Sequence, residues 1–249
     1  MSKTITVDIW TLDPRSATPA QHAACLESLD RTERERHAKF RFDHLRRDYA
    51  VAHHLVRWCL SDRVRPADWR FRIGKHGRPS VAHPLSDKGV HFSLSHTDGC
   101  VAVATSREAN LGVDVERAEP RPGLLESAHE YFAEPELAAL RALPDDEQMP
   151  RFFDLWTLKE SYIKARGLGL AIPLHGFWFH LDRPHIGIDF DVAKVVDDRS
   201  RWSFSRLRVH PRLPLALAVE SRGVPVEVRW REVDVSDILS VRRTSPAAQ

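Results

Sequence analysis

Apolar and polar residues alternate from Thr4 to Leu12, with Ile5, Val7 and Ile9 on one face, which predicts a strand that Asp13-Pro14 ends. Helical spacing follows in two runs, one over about 19–39 and one over about 44–60. The second presents Leu45, Tyr49, Ala52, Val56 and Cys59 as one apolar face. After Arg65-Pro66 the pattern shortens to strands and turns: Trp69 to Ile73, a loop GKHGRPSV, then VHFSLSHTDGCVAVAT and NLGVDVE. Two short helices are predicted at about 124–132 and 134–143. A long one follows Pro150 and is stopped by Gly167 and Gly169, with Pro173 beyond. Strand patterns then recur at 176–181, 185–190, 202–209 and 215–220, with a fifth at 224–228. Helices followed by an antiparallel meander, twice over, predict an α+β protein of two similar halves, 1–110 and 111–241. Residues 242–249 read as a frayed tail.

The long helix, RFFDLWTLKESYIKARGLGL over 151–170, carries a departure from this pattern. At about 100° per residue, Phe152, Trp156 and Ile163 lie within roughly 40° of one another, flanked by Phe153, Leu155 and Tyr162. Lys159 falls inside that stripe and Glu160 at its edge, one turn before Lys164. A surface i to i+4 pair of Glu160 and Lys164 is the ordinary reading, stabilising a helix by about 0.3–0.5 kcal/mol. A second departure is GVDVE over 112–116. With Val113 and Val115 toward the core, a period of two puts Asp114 and Glu116 on the opposite face, their Cα atoms roughly 6.5–7 Å apart. Two converging acids need a cation between them, and oxygen-only ligands suit Mg²⁺ or Mn²⁺ rather than zinc. An exposed strand end with solvated acids is the alternative.

Composition narrows the class. The chain has 249 residues, 42% of them hydrophobic, with 7 Trp and 11 Phe, enough for a substantial core. A net charge of +2 gives no reason to expect a nucleic-acid partner. The basic run from Arg31 to Arg47, which includes Arg36, leaves room for a local anionic one. No apolar stretch approaches membrane-spanning length, and the start lacks a leader pattern. Cys25, Cys59 and Cys100 are far apart and form no CxxC unit. A soluble cytoplasmic protein is expected. The loop 74–81 joins two glycines to Lys75, His76 and Arg78, a combination suited to phosphate. Ser95 and His96 fall at a strand end. If the helix packs on the GVDVE strand, Asp114, Glu116 and Glu160 make a Mg²⁺ site open to phosphate oxygens, with Lys164, Arg78 and His96 as its anion-binding side.

FSLSH at 92–96, GVDVE at 112–116 and WTLKESYIK at 156–164, in this order and at these separations, resemble the Sfp-type 4′-phosphopantetheinyl transferases. The GRP loop, the YFAEPE segment and the helical start resemble that family too. The resemblance implies a pseudodimer of two similar α+β halves, acting as a monomer with an internal pseudo-twofold and coenzyme A in the cleft between the halves. It implies transfer of phosphopantetheine to a serine of an apo acyl or peptidyl carrier protein, with release of 3′,5′-ADP. On matching positions, Asp114, Glu116 and Glu160 would hold Mg²⁺. Glu160 would also act as base, and Lys164 would offset phosphoryl charge. Arg78, Ser95, His96 and Arg36 would contact coenzyme A phosphates. The chain departs from the family at Ser93, where Asn is frequent, and at Glu33, where a basic residue is expected, leaving Arg34 or Arg47 as substitutes. The competing readings are another magnesium phosphodiesterase, which would form product without a carrier, and a binding module without chemistry.

Overall fold

A computed structural model describes residues 3–61, 64–82, 89–182 and 185–240; the expected tail at 242–249 lies outside these described residues. Two sheets organise them. The first has strand order β11-β1-β5-β4, formed by β1 (Ile5–Leu12), β4 (His91–Thr97), β5 (Cys100–Ser106) and β11 (Val226–Glu232). The second is antiparallel, β6-β10-β9, formed by β6 (Leu111–Val115), β9 (Trp202–His210) and β10 (Leu213–Glu220). Two small hairpins complete the strands: β2 (Phe71–Ile73) with β3 (Pro79–Val81), and β7 (Phe177–His180) with β8 (Gly187–Phe190).

Period-two sorting explains the layers. Ile5, Val7 and Ile9 join Ala102 and Ala104 in a core that also takes Val113, Val115, Leu215 and Leu217, so both sheets share one apolar face. The alternate residues Trp10, Leu12, Val101 and Val103 turn the other way, onto α3 (Asp43–Leu60). Ala216 and Ala218 turn onto α5 (Asp145–Arg166), where Phe152, Leu155, Leu158 and Tyr162 are buried. Each such large apolar side chain taken wholly from water is worth about 1.5–3 kcal/mol. The α+β class is as the sequence predicts.

Four elements differ from the sequence expectation. The run over 19–39 is two helices, α1 (Pro19–Glu27) and α2 (Arg31–Lys39), because Asp30 accepts from the Glu33 N–H while the Glu33 carboxylate accepts from the Asp30 N–H, a capping box that starts a new helix. The predicted helix over 124–132 is a short 3₁₀ turn, Glu126–Glu130, ahead of α4 (Glu134–Arg141). α5 begins at Asp145, not after Pro150. Asp145, Asp146 and Glu147 occupy its first turn, where the helix dipole favours acids, and Pro150 is carried inside it. The last strand, expected to extend the second meander, instead pairs in parallel with β1, Val228 opposite Val7, and α6 (Val235–Leu239) buries Val235 and Ile238 against the α3 core.

Candidate active site

The two sheets meet where the edge strands β4 and β6 run side by side. The contact is made by hydroxyls rather than by a backbone ladder. Ser93 Oγ accepts from the Val113 N–H at 3.0 Å, and Ser95 Oγ accepts from the Val115 N–H at 3.3 Å. Ser93, in the position where asparagine is expected, thus satisfies a buried backbone donor across the seam.

On its other side β6 lies against α5 at a distance only glycine permits. A β-carbon at Gly112 would stand 2.1 Å from the Ser161 carbonyl oxygen and 2.4 Å from the Ala165 nitrogen. This approach brings Asp114 under the last turns of α5. Lys164 Nζ donates to Asp114 Oδ1 at 2.6 Å and to Ser95 Oγ at 2.8 Å, and the Ser95 hydroxyl donates to the same Oδ1 at 2.8 Å. Among the described residues the second oxygen, Asp114 Oδ2, is buried with no hydrogen-bond partner.

Glu116 and Glu160 join this group electrostatically. Burial raises the Glu160 carboxyl above its ordinary range and the Asp114 charge adds to it, while Lys164 opposes. Glu116 is raised by burial and then by Asp114, with the Trp156 N–H and Lys164 pulling the other way and Glu160 adding to the rise. Trp156 Nε1 reaches Glu116 Oε1 at 3.3 Å. Three carboxylates therefore feel one another around a single ammonium, and one of their oxygens is unpaired. Among the described residues no group of three His, Cys, Asp or Glu side chains already stands in ligand geometry. The donor chemistry nonetheless fits a hard divalent cation. The set is all oxygen, its carboxylates repel one another, and Asp114 Oδ2 is a buried acceptor without a donor among the described residues.

Glu160, Lys164 and Ile163 form one wall of a cleft of about 250 Å³, faced by His76, Arg78, Phe92 and Leu94. The Arg78 guanidinium reaches across it, donating to the Ala165 carbonyl at 2.8 Å, the Leu111 carbonyl at 3.2 Å and Asn110 Oδ1. Gly167, at φ 65°, caps α5 and leaves room for this arm, since a β-carbon there would stand 2.9 Å from Arg78 Cδ. His96 sits at the end of β4. Desolvation, then the Lys164 charge, holds its imidazole below the ordinary value, with Asp48 and Asp114 opposing. Of the sequence candidates, Arg78, Glu160 and Lys164 line this cleft; Asp114 and Ser95 reach it through Lys164, Glu116 and His96 lie outside its lining, and the Arg36 guanidinium lies over the Tyr49 ring, 5.9 Å from the centroid.

A family model described as the 4′-phosphopantetheinyl transferase superfamily matches residues 110–217, the span that holds β6 and α5. Sfp, a 4′-phosphopantetheinyl transferase of Bacillus subtilis strain 168, is 37% identical over 177 residues, covering 70% of this chain and 74% of that protein. The chain belongs to this superfamily. A phosphopantetheinyl transferase of Thraustochytrium is 32% identical over 250 residues, covering 91% of this chain and 84% of that one. The 4′-phosphopantetheinyl transferase HetI of Nostoc is 29% identical over 167 residues, covering 66% and 70%. Among solved structures, the holo-acyl-carrier-protein synthase of Thermotoga maritima aligns with a TM-score of 0.36 and 21% identity, over 44% of this chain and 61% of that one.

Within this superfamily member, three further residues support the site. Lys159 is wholly buried, its Nζ 2.7 Å from Glu136 Oε2 and donating to the Leu174 carbonyl at 2.8 Å and the Phe177 carbonyl at 2.6 Å. Glu136, from the YFAEPE segment, also accepts from the Phe179 and Ala133 N–H groups, each at 3.0 Å. Burial pushes Lys159 down and Glu136 up, and each opposes the other's shift by direct contact. The third is Trp156, stacked on Phe152 and edge-on to Tyr131, which holds Glu116 as well as filling the core. Its position before Lys159 and Glu160 was the available signal. Glu33 also has an internal use: it accepts from His53 at 2.8 Å and pairs with Arg57, whose side chain is fully buried. Of its two suggested substitutes, Arg34 donates to the Glu27 carbonyl at 2.6 Å and Arg47 pairs with Asp48 at 2.8 Å.

Proposed function

We propose that this protein transfers the 4′-phosphopantetheine group of coenzyme A to a serine hydroxyl of an apo acyl or peptidyl carrier protein, with Mg²⁺ as cofactor, Mn²⁺ as a substitute for it, and 3′,5′-ADP as the second product. The observation that carries this reading is the convergence of Asp114, Glu116, Glu160 and Lys164 beside a cleft, in a chain whose relatives are phosphopantetheinyl transferases.

Asp114, Glu116 and Glu160 are the residues that would hold the ion. When bound, it would neutralise charge on the pyrophosphate of coenzyme A. Glu160, on the cleft wall, takes the proton of the carrier serine as its oxygen bonds to the phosphorus that bears pantetheine. The bond from that phosphorus to the bridging oxygen breaks, and 3′,5′-ADP leaves with the electron pair. Lys164 offsets negative charge on the transferring group from its place beside Asp114. Ser95 holds Asp114 in orientation and stands beside the coenzyme A phosphates, which Arg78 and His96 bind; Arg36 contributes positive charge from α2.

With 1–110 and 111–241 taken as the two halves, residues 76–79 and 92–94 of the first and residues among 160–169 of the second line the cleft, and residues 226–239 pack on the first. One chain supplies both walls, so we take the monomer as the working unit. Among the described residues no helix is long and apolar enough to cross a membrane, and the three cysteines are buried and form no disulfide, which suits a reducing, cytoplasmic setting.

The test is intact-mass spectrometry of a panel of apo fatty-acid, polyketide and peptide carriers incubated with the protein, coenzyme A and Mg²⁺. At least one carrier should gain a phosphopantetheine group. No gain on any of them refutes the proposal, and hydrolysis of coenzyme A without a carrier supports a phosphodiesterase instead.

A further inference from the structure

Away from the cleft, α1 and α2 meet through two histidines. His22 on α1 and His37 on α2 bring their Nε2 atoms to 3.2 Å, with ring centroids 5.4 Å apart and planes inclined at 45°. A neutral imidazole has one N–H and one lone pair, so one of these nitrogens donates and the other accepts. Burial holds both rings below their ordinary pKa. For His22 the Arg47 charge adds to this and Asp43 opposes it; for His37 the charge of His22 and then that of Arg46 add to it. Both shifts favour the uncharged imidazole, which is the state a ligand needs.

The separation matches metal bonding. Zinc binds imidazole nitrogen at about 2.0–2.1 Å, and two such bonds at a tetrahedral angle put the nitrogens about 3.3 Å apart. Replacing the shared proton by a cation thus changes the nitrogen separation by only about a tenth of an ångström, with each ring turning so that its Nε2 lone pair points at the ion. We propose that His22 and His37 form a two-imidazole site for a divalent transition metal of the zinc class, and that the metal fastens α2 to α1. Water would complete the coordination. Asp43, near His22, compensates part of the charge, while Arg46 and Arg47 keep the affinity below that of a closed structural zinc site. Mg²⁺, which prefers oxygen, is excluded by the donor set. The cross-link has leverage because Glu33 is the only residue of α2 that is buried, so little else packs this helix down.

This site shares no residue with the acidic cleft, and its failure would leave the proposed transfer reaction untouched. Chelator-stripped full-length protein is titrated with zinc alone by calorimetry, with thermal unfolding followed in parallel. Wild type should take up zinc and melt at a higher temperature when saturated. His22→Asn and His37→Asn should each abolish that uptake and that rise, Asp114→Asn should keep both, and Mg²⁺ should not reproduce the rise. No uptake by wild type, uptake unchanged in both histidine variants, or uptake lost in Asp114→Asn overturns the site. Nitrogen-15 spectra of the histidine rings in wild type provide a readout that needs no variant: zinc must shift the Nε2 signals of His22 and His37, and unshifted signals also overturn it.

Discussion

Gly112 and Ser161 approach so closely that the strand and the helix carrying the acidic site can meet in no other way: a β-carbon on Gly112 would stand 2.1 Å from the Ser161 carbonyl oxygen. The obstacle is backbone, which cannot swing aside as a side chain can. Gly112→Ala should therefore cost at least about 1–3 kcal/mol of stability, the usual range for overpacking. Chemical denaturation measures the loss. The displaced strand should also carry Asp114 away from Lys164, so the folded fraction should lose activity as well.

The Lys159 and Glu136 side chains are both fully buried, and removing one leaves the other charge without its partner. Glu136→Leu should destabilise the protein by about 3–5 kcal/mol. Lys159→Met combined with Glu136→Gln should recover part of this, because glutamine still offers an acceptor to the Phe179 and Ala133 N–H groups. Urea unfolding of the single and double variants checks the ordering.

Acid sensitivity should trace to Glu33. Burial alone would raise its carboxyl, but hydrogen bonds from His53 and Arg57 and the Arg57 charge outweigh burial and bring it from 4.5 down to about 2. A carboxyl lowered on folding contributes stability that is complete above its unfolded value and is lost as pH falls through its folded value. The loss should therefore run from about pH 4.5 to about pH 2, with roughly 3 kcal/mol at stake. Glu33→Gln should be less stable at neutral pH and should have a flatter stability curve in that window, as read from denaturation midpoints at stepped pH.

The parts of this molecule that were legible in the sequence are those set by local pattern. GVDVE had to be a strand and WTLKESYIK a helix, and their motifs brought Asp114, Glu116, Glu160 and Lys164 into one hypothesis. What escaped depends on distant partners. Nothing local to Lys159 announces Glu136, 23 positions earlier in the chain. Nothing in Val226–Glu232 says that it will pair with Ile5–Leu12 and not with its neighbour in sequence. The Arg78 arm spans to Ala165 and Asn110, contacts that only the packed cleft creates. The division of 19–39 was written in Asp30-Arg-Thr-Glu33, but α2 is so polar that its start carries no apolar signal to mark it.

Asp114, as a cation ligand at the seam between β6 and α5, is the residue on which the proposed transfer chemistry depends most. The most direct measurement is the initial rate of phosphopantetheine transfer to an apo carrier, by intact mass, for Asp114→Asn against wild type under saturating Mg²⁺. Asparagine preserves size and an acceptor but removes the charge that Lys164 and the ion would share. The rate should fall by about 100-fold or more, the scale of losing one electrostatic group in an active site, with the melting temperature little changed. A folded Asp114→Asn protein that modifies the carrier at the wild-type rate would contradict it.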